Sequence, residues 1–311
     1  MPGIEVFDVV ILGSGPAGLQ AAIHAARRKV SVLLLGRIQK SSLWWAHVDN
    51  FCCIFNLSGE DMLRSGRDQA VRFGVEAVEE DALKLARSGR HFLVETESGR
   101  QAAARSVIVA TGTTRNTLGV PGEKELLGRG VSYCVDCDGG FFRGEDVAVV
   151  GGQSAAAGGA ITLSAIARSV HLVCDTLEVS PALRGRILAA GVVLVEQAAV
   201  KAVQGAGKVE GLVLADGTRL AVSGVFIELG AKGVLELAVT LGLELDEGMK
   251  YVRTDKRQRT NVAGIFAAGD ICGPPLQMAK AVGEGCVAGI EAAAYARKLK
   301  GEEEADRKSV V

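Results

Sequence analysis

The chain has 311 residues, of which 48% are hydrophobic and 23% are charged, and its net charge is −1 at neutral pH. Because single hydrophobic cores stop growing at roughly 250 to 300 residues, this length predicts two domains of a compact α/β class. The scattered basic residues argue against nucleic acid as a partner. No apolar run reaches about 18 residues and no signal-like segment precedes the first strand, so a cytoplasmic protein with no membrane contact is expected.

The chain opens with a strand, a glycine-rich turn and a helix. The strand is predicted at Phe7 to Leu12 and the helix from Leu19 to Arg28, and the turn between them contains Gly13-Ser14-Gly15-Pro16-Ala17-Gly18. Such glycines serve the tight turn, the approach of a pyrophosphate to the backbone, and the contact between helix and strand. A dinucleotide site is predicted here, although a glycine turn in a domain that binds nothing has the same pattern.

Other residues must identify the nucleotide, because the second strand ends in Leu35-Gly36-Arg37 without a carboxylate for an adenosine ribose. Two later segments are typical of flavoproteins. One is Val107-Ile108-Val109-Ala110-Thr111-Gly112, and the other is Thr260 to Asp270. A long helix is then predicted at Leu276 to Lys298, and the polar tail from Gly301 is predicted to be mobile.

The run Cys134-Val135-Asp136-Cys137-Asp138-Gly139 contains the one pair of cysteines with a two-residue gap among the seven cysteines of the chain. In a reducing compartment this spacing favours a catalytic redox pair over a structural disulfide. Half of a zinc site is the alternative, but a second spaced pair of ligands is lacking, so no metal is expected. Cys174, Cys272 and Cys286 are predicted to be small buried residues.

A second strand, turn and helix follow at Val147 to Val150, at Gly151-Gly152-Gln153-Ser154-Ala155-Ala156 and onward to about Arg168. The strand Val170 to Val173 completes the pattern. The sequence therefore predicts an α/β protein with two Rossmann-like nucleotide-binding domains, one inserted in the other.

With these motifs in this order, the chain resembles the low-molecular-weight thioredoxin reductases over nearly its whole length. The most specific part is the dithiol run that ends in Gly139-Gly140-Phe141-Phe142. The resemblance implies a homodimer in which each subunit has two three-layer ββα domains. One of them, residues 1–113 and 245–311, would bind FAD. The inserted domain, residues 114–244, would carry the dithiol; in relatives it binds NADPH and swivels.

The resemblance also assigns roles to residues. Cys134 and Cys137 would pass electrons from reduced flavin to a protein disulfide, and Asp138 would act as the acid and base. Asp136 is an additional carboxylate between the cysteines and should disfavour the thiolate. Asp270 would hold the ribityl chain and Gln277 would face the flavin ring. The full set implied to bind FAD is Gly13, Gly15, Pro16, Ala17, Gly18, Asn50, Ala110, Thr111, Gly112, Gly269, Asp270, Gln277, Met278 and Ala279.

The second turn departs from the family. Gln153 stands where a glycine would let the backbone touch pyrophosphate, and Cys174-Asp175-Thr176 replaces the basic cluster that binds the 2′-phosphate of NADPH. Gly158-Gly159 replaces a glutamate pair. Gly151, Gln153 and Asp175 thus mark a degraded second site, and NADPH is not expected to be the donor. The alternative, in which Asp175 binds the ribose of NADH, is hindered by Gln153 too.

Two further pairs are unusual. Trp44-Trp45 stands beside the predicted flavin site, where the rings could stack on the flavin, hold a second planar cofactor or fill a domain interface. Cys52-Cys53 stands where relatives have a proline and glycine turn. These departures resemble the NADPH-independent branch of the family, which includes ferredoxin-fed, deeply rooted and two-flavin forms, and the sequence does not choose among them.

The predicted function is therefore that of an FAD-dependent, thioredoxin reductase-like disulfide oxidoreductase with a donor other than NADPH. Thioredoxin or a similar dithiol protein is the expected substrate, and ferredoxin or another protein is a candidate donor. An NADH-dependent reductase and a non-catalytic flavin redox sensor are the alternatives. A Cys137→Ser protein should trap thioredoxin covalently if the pair is catalytic and should not if it only senses.

Overall fold

The computed structural model describes residues 4–112, 117–229 and 240–309. The chain divides into two compact units. The first comprises Met1–Thr96, Arg100–Thr113 and Leu241–Val311, and the second comprises Glu97–Gly99 and Thr114–Thr240. The predicted domain boundary after residue 113 falls among residues outside the described ranges.

The first unit is built on a seven-stranded sheet with a parallel centre. Strands β1, β2 and β8 pair in parallel, and every residue of β1 from Phe7 onward is buried. Such apolar runs suit a parallel sheet, whose faces are both covered. The strand order is β5-β2-β1-β8-β7-β6, with β17 paired to β8, and a separate hairpin is formed by β3 and β4. The strands are β1 Glu5–Leu12, β2 Val32–Leu35, β3 His47–Val48, β4 Leu57–Ser58, β5 Glu76–Val78, β6 Ala82–Ser88, β7 His91–Thr96, β8 Gln101–Val109 and β17 Ile265–Ala267.

The α-helices in the described part of the first unit are α1 Pro16–Arg27, α2 Gly59–Arg72 and α6 Met278–Ser309. Helices α1 and α6 pack backbone against backbone. A Cβ at Gly285 would lie 2.2 Å from Ala17 O, so only glycine allows this approach. The close packing brings the N-terminal end of α6 to the same end of the sheet as the β1–α1 turn.

The tail predicted to be mobile is instead the last part of α6, which continues to Ser309. Arg105 pairs with Glu303 at 2.9 Å and with the buried Asp8 at 3.0 Å. Arg90 pairs with Glu302 and Asp306. The polar residues that suggested disorder thus supply carboxylates to Arg105 in β8 and to Arg90 in the turn before β7.

The second unit contains a five-stranded parallel sheet of order β12-β11-β10-β16-β9 and a three-stranded antiparallel sheet of β13, β14 and β15. The α-helices in the described part of this unit are α3 Val135–Asp138, α4 Ser154–Ser164 and α5 Pro181–Ala189. Its strands are β9 Val131–Ser132, β10 Asp146–Val150, β11 Ser169–Val173, β12 Val193–Val195, β13 Val200–Gln204, β14 Gly211–Leu214, β15 Arg219–Leu220 and β16 Gly224–Ile227.

Each unit therefore contains a parallel sheet entered through a strand, glycine turn and helix. The prediction of an α/β protein with two Rossmann-type folds is confirmed. Within the described parts of the chain, no helix combines the length and the apolar character needed to cross a membrane.

Candidate redox and nucleotide sites

The two predicted redox cysteines are joined by a disulfide. Cys134 is the N-cap of the short helix α3, and its Sγ accepts a hydrogen bond from the backbone N–H of Cys137 at 3.1 Å. Cys134 is buried, whereas Cys137 is exposed. An N–H group that donates to one sulfur stabilises negative charge on that sulfur. Disulfide exchange needs this stabilisation, because the sulfur that leaves does so as a thiolate.

Asp138 lies beside the disulfide and is held by a serine. Ser132 Oγ donates to Asp138 Oδ2 at 2.7 Å and accepts the backbone N–H of Cys134 at 3.0 Å. A single hydroxyl thus links the carboxylate to the backbone of the first cysteine. This arrangement suits a carboxylate that delivers a proton to a nearby sulfur. Ser132 was not predicted, because nothing in its local pattern distinguishes it from other serines.

A buried glutamate that the sequence analysis did not identify lies under α3. Glu228, at the end of β16, is 5% exposed, and its Oε1 accepts the backbone N–H of Val135 at 3.2 Å. The absence of a side chain at Gly159 leaves room here, since a Cβ would lie 2.9 Å from Val135 Cγ2 and 3.9 Å from Glu228 Cγ. The available signal was a charged residue directly after the apolar run Val225-Phe226-Ile227.

Glu228 should set the redox potential of the dithiol. In its ionised form, the Glu228 carboxylate disfavours the thiolate form of the nearby pair and so stabilises the disulfide. Glu228→Gln keeps an oxygen that can accept from Val135 and removes the charge. We expect the midpoint potential of the Cys134–Cys137 couple to rise by about 30 mV, equivalent to about 1.4 kcal/mol. Equilibration with dithiothreitol redox buffers measures this shift. An unchanged or lower potential would show that the charge has no such role.

The glycine turn of the first unit has room for a ligand at one position and none at another. A Cβ at Gly18 would lie 1.8 Å from Gly13 O, so Gly18 serves the packing of α1 on the strand. A Cβ at Gly15 would meet only Ser41 Oγ, at 3.4 Å. Two buried hydroxyls at this end of the sheet, Ser14 Oγ and Thr111 Oγ1, have no hydrogen-bond partner within the described chain. An open glycine and unpartnered buried hydroxyls fit a phosphate-bearing ligand.

The N-terminal end of α6 lies at the same edge of the sheet. Gln277 Oε1 accepts from Asn50 Nδ2 at 3.3 Å, which joins two residues predicted to face one ligand. Met278 and Ala279 form the first turn of α6, where backbone N–H groups are free of helical partners. Burial raises the pKa of Asp270, against the opposing effect of Lys280.

Lys280 and Glu284 fix the loop before α6 and were also missed. Glu284 Oε2 accepts the N–H of Gly269 at 2.9 Å, and Lys280 Nζ donates to Gly269 O at 2.8 Å and Gly273 O at 2.7 Å. The signal was an oppositely charged pair at i and i+4 in a helix otherwise rich in small residues. The pair holds the loop that presents Asp270.

Polar side chains occupy the glycine turn of the second unit. Gln153 Nε2 donates to Glu178 Oε2 at 3.3 Å, across the entrance of the turn. A Cβ at Gly152 would lie 2.1 Å from Thr176 O, so the segment after β11 packs directly on the turn. Asp175 is exposed in this segment. Arg184, a cation close enough to act on Cys174, is held by both carboxylate oxygens of Glu196 at 3.0 and 2.6 Å.

The two tryptophans differ in environment. Trp44 belongs to the hydrophobic core of the first unit, where the Arg64 guanidinium lies 5.2 Å from its ring centroid. Trp45 is 88% exposed. Protein atoms already cover Trp44, so Trp45 is the member of the pair that is accessible for stacking on a ligand.

The remaining cysteines differ in exposure: Cys52 and Cys53 are exposed, and Cys174 is buried. Cys272 and Cys286 are partly exposed, so the prediction that these small residues are buried is correct for Cys174 alone. Burial raises the pKa of the Cys174 thiol to about 11 and that of the Cys272 thiol to about 12, whereas Cys52 and Cys53 are exposed. At about pH 8, iodoacetamide should label Cys52 and Cys53 at least ~10²-fold faster than Cys174 and Cys272, whose thiols have the raised pKa. Timed alkylation followed by peptide mass spectrometry measures the rates. Comparable rates at all four positions would contradict this assignment.

Two nucleotide folds and a disulfide across a two-residue gap define a nucleotide-binding disulfide oxidoreductase. Residues 7–285 match the family model of the pyridine nucleotide-disulphide oxidoreductases. The chain belongs to this family and is a thioredoxin reductase-like flavin disulfide oxidoreductase. It is 35% identical to the thioredoxin reductase of Listeria monocytogenes over 314 aligned residues, covering 97% of this chain and 98% of the relative.

Two solved structures are similar over most of their length. The atypical thioredoxin reductase TRi from Desulfovibrio vulgaris Hildenborough has a TM-score of 0.82 and 34% identity, with 94% of this chain and 98% of that chain covered. A ferredoxin-flavin thioredoxin reductase from Clostridium acetobutylicum has a TM-score of 0.71 and 29% identity, with 96% and 99% covered. Both similarities extend through the two units.

Proposed function

We propose that this chain is an FAD-dependent disulfide reductase that passes electrons through Cys134 and Cys137 to thioredoxin or a similar dithiol protein, with a donor other than NADPH. The observation that carries the proposal is the Cys134–Cys137 disulfide, one sulfur of which faces a backbone N–H while Asp138 lies alongside. Thioredoxin reductases among the relatives support the substrate class.

The residues around the dithiol would perform the exchange as follows. Once the pair is reduced, one thiolate attacks the disulfide of the protein substrate and forms a mixed disulfide with it. The other cysteine then attacks the sulfur of its partner cysteine in this mixed disulfide. The substrate leaves with both electrons and two protons, and the Cys134–Cys137 disulfide is restored. Asp138, oriented by Ser132, takes up and returns a proton at the sulfurs.

The first glycine turn would hold FAD. The backbone at Gly15 and the hydroxyls of Ser14 and Thr111 suit the pyrophosphate, Asp270 suits the ribityl hydroxyls, and the start of α6 at Gln277 suits the flavin ring. The helix N-terminus favours negative charge on a reduced flavin. FAD held by these residues would supply, when reduced, the two electrons for the Cys134–Cys137 disulfide.

The second turn supports a donor other than NADPH. A 2′-phosphate needs cations, and the segment after β11 offers Asp175 and Glu178 instead. Gln153 and Glu178 bond to each other across the turn. Each lost charge-assisted hydrogen bond costs roughly 1.5 to 3 kcal/mol, and an acidic residue adds repulsion. A ferredoxin-flavin enzyme among the similar structures supports a protein donor.

Anaerobic mixing with nicotinamide cofactors tests the donor directly. We expect neither NADPH nor NADH to bleach the visible flavin absorbance within a catalytic time scale, because Gln153 and Glu178 bond across the second turn and Glu196 binds Arg184. Dithionite should bleach it at once and serves as the control. Rapid bleaching by NADPH would refute the donor proposal, and bleaching by NADH alone would favour an NADH enzyme in which Asp175 binds the ribose.

Counting flavins separates the remaining donor types. One FAD released per chain by denaturation is the expected result for a protein donor such as ferredoxin. Two flavins per chain would instead place a second flavin in the second nucleotide fold.

A homodimer is also part of the proposal. Sedimentation of the holoenzyme tests this oligomeric state.

A further inference from the structure

Cys52 and Cys53 occupy the two central positions of a tight turn. The backbone N–H of Ile54 donates to Phe51 O at 3.1 Å, which closes a four-residue turn around the two cysteines. Cys53 has φ of +68°, while Cys52 is not among the residues with positive φ. Positive φ at the third position alone defines a type II turn, in which glycine is the usual residue.

A cysteine at this position has an energetic cost. A side chain in the left-handed region costs roughly 1 to 2 kcal/mol, which glycine would avoid. The turn would therefore be more stable with glycine in place of Cys53. A residue held in an unfavourable conformation is a reason to look for a role of its side chain.

The conformation brings the two thiols together at the surface. Cys52 Sγ and Cys53 Sγ are 3.4 Å apart, and both residues are exposed. In an extended chain, neighbouring side chains point to opposite faces, so this proximity is a product of the turn. The two sulfurs need move little to bond, and a disulfide reagent in solution can reach them.

The pair also lies close along the chain to the predicted flavin site. Asn50, whose side chain bonds to Gln277 at 3.3 Å, precedes Cys52 by two residues. Because consecutive Cα atoms are about 3.8 Å apart, the Cα of Cys52 lies within roughly 8 Å of that of Asn50. The exposed thiols thus belong to the segment that meets the start of α6.

We propose that Cys52 and Cys53 form a second redox-active dithiol, which closes to a disulfide between adjacent residues by exchange with a low-molecular-weight disulfide. One thiolate attacks the small disulfide, forms a mixed disulfide and releases one small thiolate. The neighbouring thiolate then attacks the mixed disulfide and releases the second. Two electrons pass to the small disulfide, one S–S bond breaks and one forms, and the two protons of the cysteines are taken up by the released thiols.

The closed form should reopen easily. Adjacent Cα atoms are about 3.8 Å apart, which is shorter than the 4.4 to 6.8 Å usual for disulfides. Strained disulfides are the more reducible ones. The pair is therefore a reversible acceptor and donor of electrons, and this role does not depend on the identity of the donor at the second nucleotide fold.

Peptide mass spectrometry tests the proposal on the wild-type holoenzyme. Protein reduced with dithiothreitol and then freed of it is incubated anaerobically with glutathione disulfide, blocked with iodoacetamide, and digested with trypsin. The tryptic peptide 41–64 contains Cys52 and Cys53 and no other cysteine. We expect this peptide to lack alkyl groups and to have lost two hydrogen atoms. Its recovery with two alkyl groups or two glutathione adducts would overturn the proposal.

A matched variant and two internal peptides serve as controls. Cys53→Gly suits the positive φ, retains the turn and removes the second thiol, so Cys52 should retain one glutathione in a stable mixed disulfide. No adduct on Cys52 in this variant would also contradict the mechanism. In the same digest, peptide 130–143 reports on Cys134 and Cys137, and peptide 169–184 reports on the buried Cys174, which should remain unmodified.

Discussion

Replacing either Cys134 or Cys137 by serine should lower the rate of thioredoxin reduction by at least about 10³-fold, because each sulfur takes part in a step that the other cannot perform alone. The assay uses photochemically reduced holoenzyme mixed with oxidised thioredoxin, and the thioredoxin thiols formed are counted. Cys174→Ala, which removes a buried thiol outside the pair, is the control and should retain the wild-type rate. Flavin content should be equal in all these proteins.

The same serine variants identify the attacking thiol. Cys137 is exposed and Cys134 is buried, which favours attack by Cys137 and hence a covalent complex between thioredoxin and the Cys134→Ser protein. A complex formed by Cys137→Ser would assign the attack to Cys134, as the sequence analysis expected. If neither variant traps thioredoxin and both keep their rates, the proposed function is wrong and a sensor role gains support.

The second large effect is expected at the first glycine turn, where Gly18→Ala and Gly15→Ala form a matched pair. The Cβ at residue 18 would lie 1.8 Å from Gly13 O, whereas that at residue 15 would meet only Ser41 Oγ at 3.4 Å. We expect Gly18→Ala to destabilise the protein by about 3 kcal/mol, because the backbone of the turn must move. Gly15→Ala should cost about 1 kcal/mol, mainly as a poorer helix N-cap.

Flavin binding separates the two changes further. If the FAD pyrophosphate approaches the backbone at Gly15, the alanine there should weaken FAD binding at least ~10-fold, equivalent to about 1.4 kcal/mol, while the apoprotein keeps its fold. Urea unfolding of the apoproteins and FAD titration followed by flavin fluorescence give the two quantities. A Gly15→Ala protein with unchanged FAD affinity would move the pyrophosphate away from this turn.

Much of the architecture could be predicted because its signals are local. The run Phe7 to Leu12 is apolar at every position from Val9, and the following glycines stand at fixed spacing, so the strand, turn and helix were recognisable from neighbouring residues alone. The tail after Gly301 shows the limit of this reasoning. Its charges indicate disorder in isolation, yet Arg90 and Arg105, two hundred residues away in sequence, pair with them and extend α6.

The same division applies to the sites. The dithiol, the glycine turns and the loss of basic residues at the second turn could be identified before folding was considered, because they depend on residue type and spacing alone. Packing in three dimensions, by contrast, placed Ser132 against Asp138, put Glu228 beneath α3 and joined Gln153 to Glu178. It also decided that the thiols of Cys52 and Cys53 meet. Such contacts depend on the direction of each side chain and on which strand ends lie at the same edge of a sheet. Both are fixed only when the sheets and helices pack together.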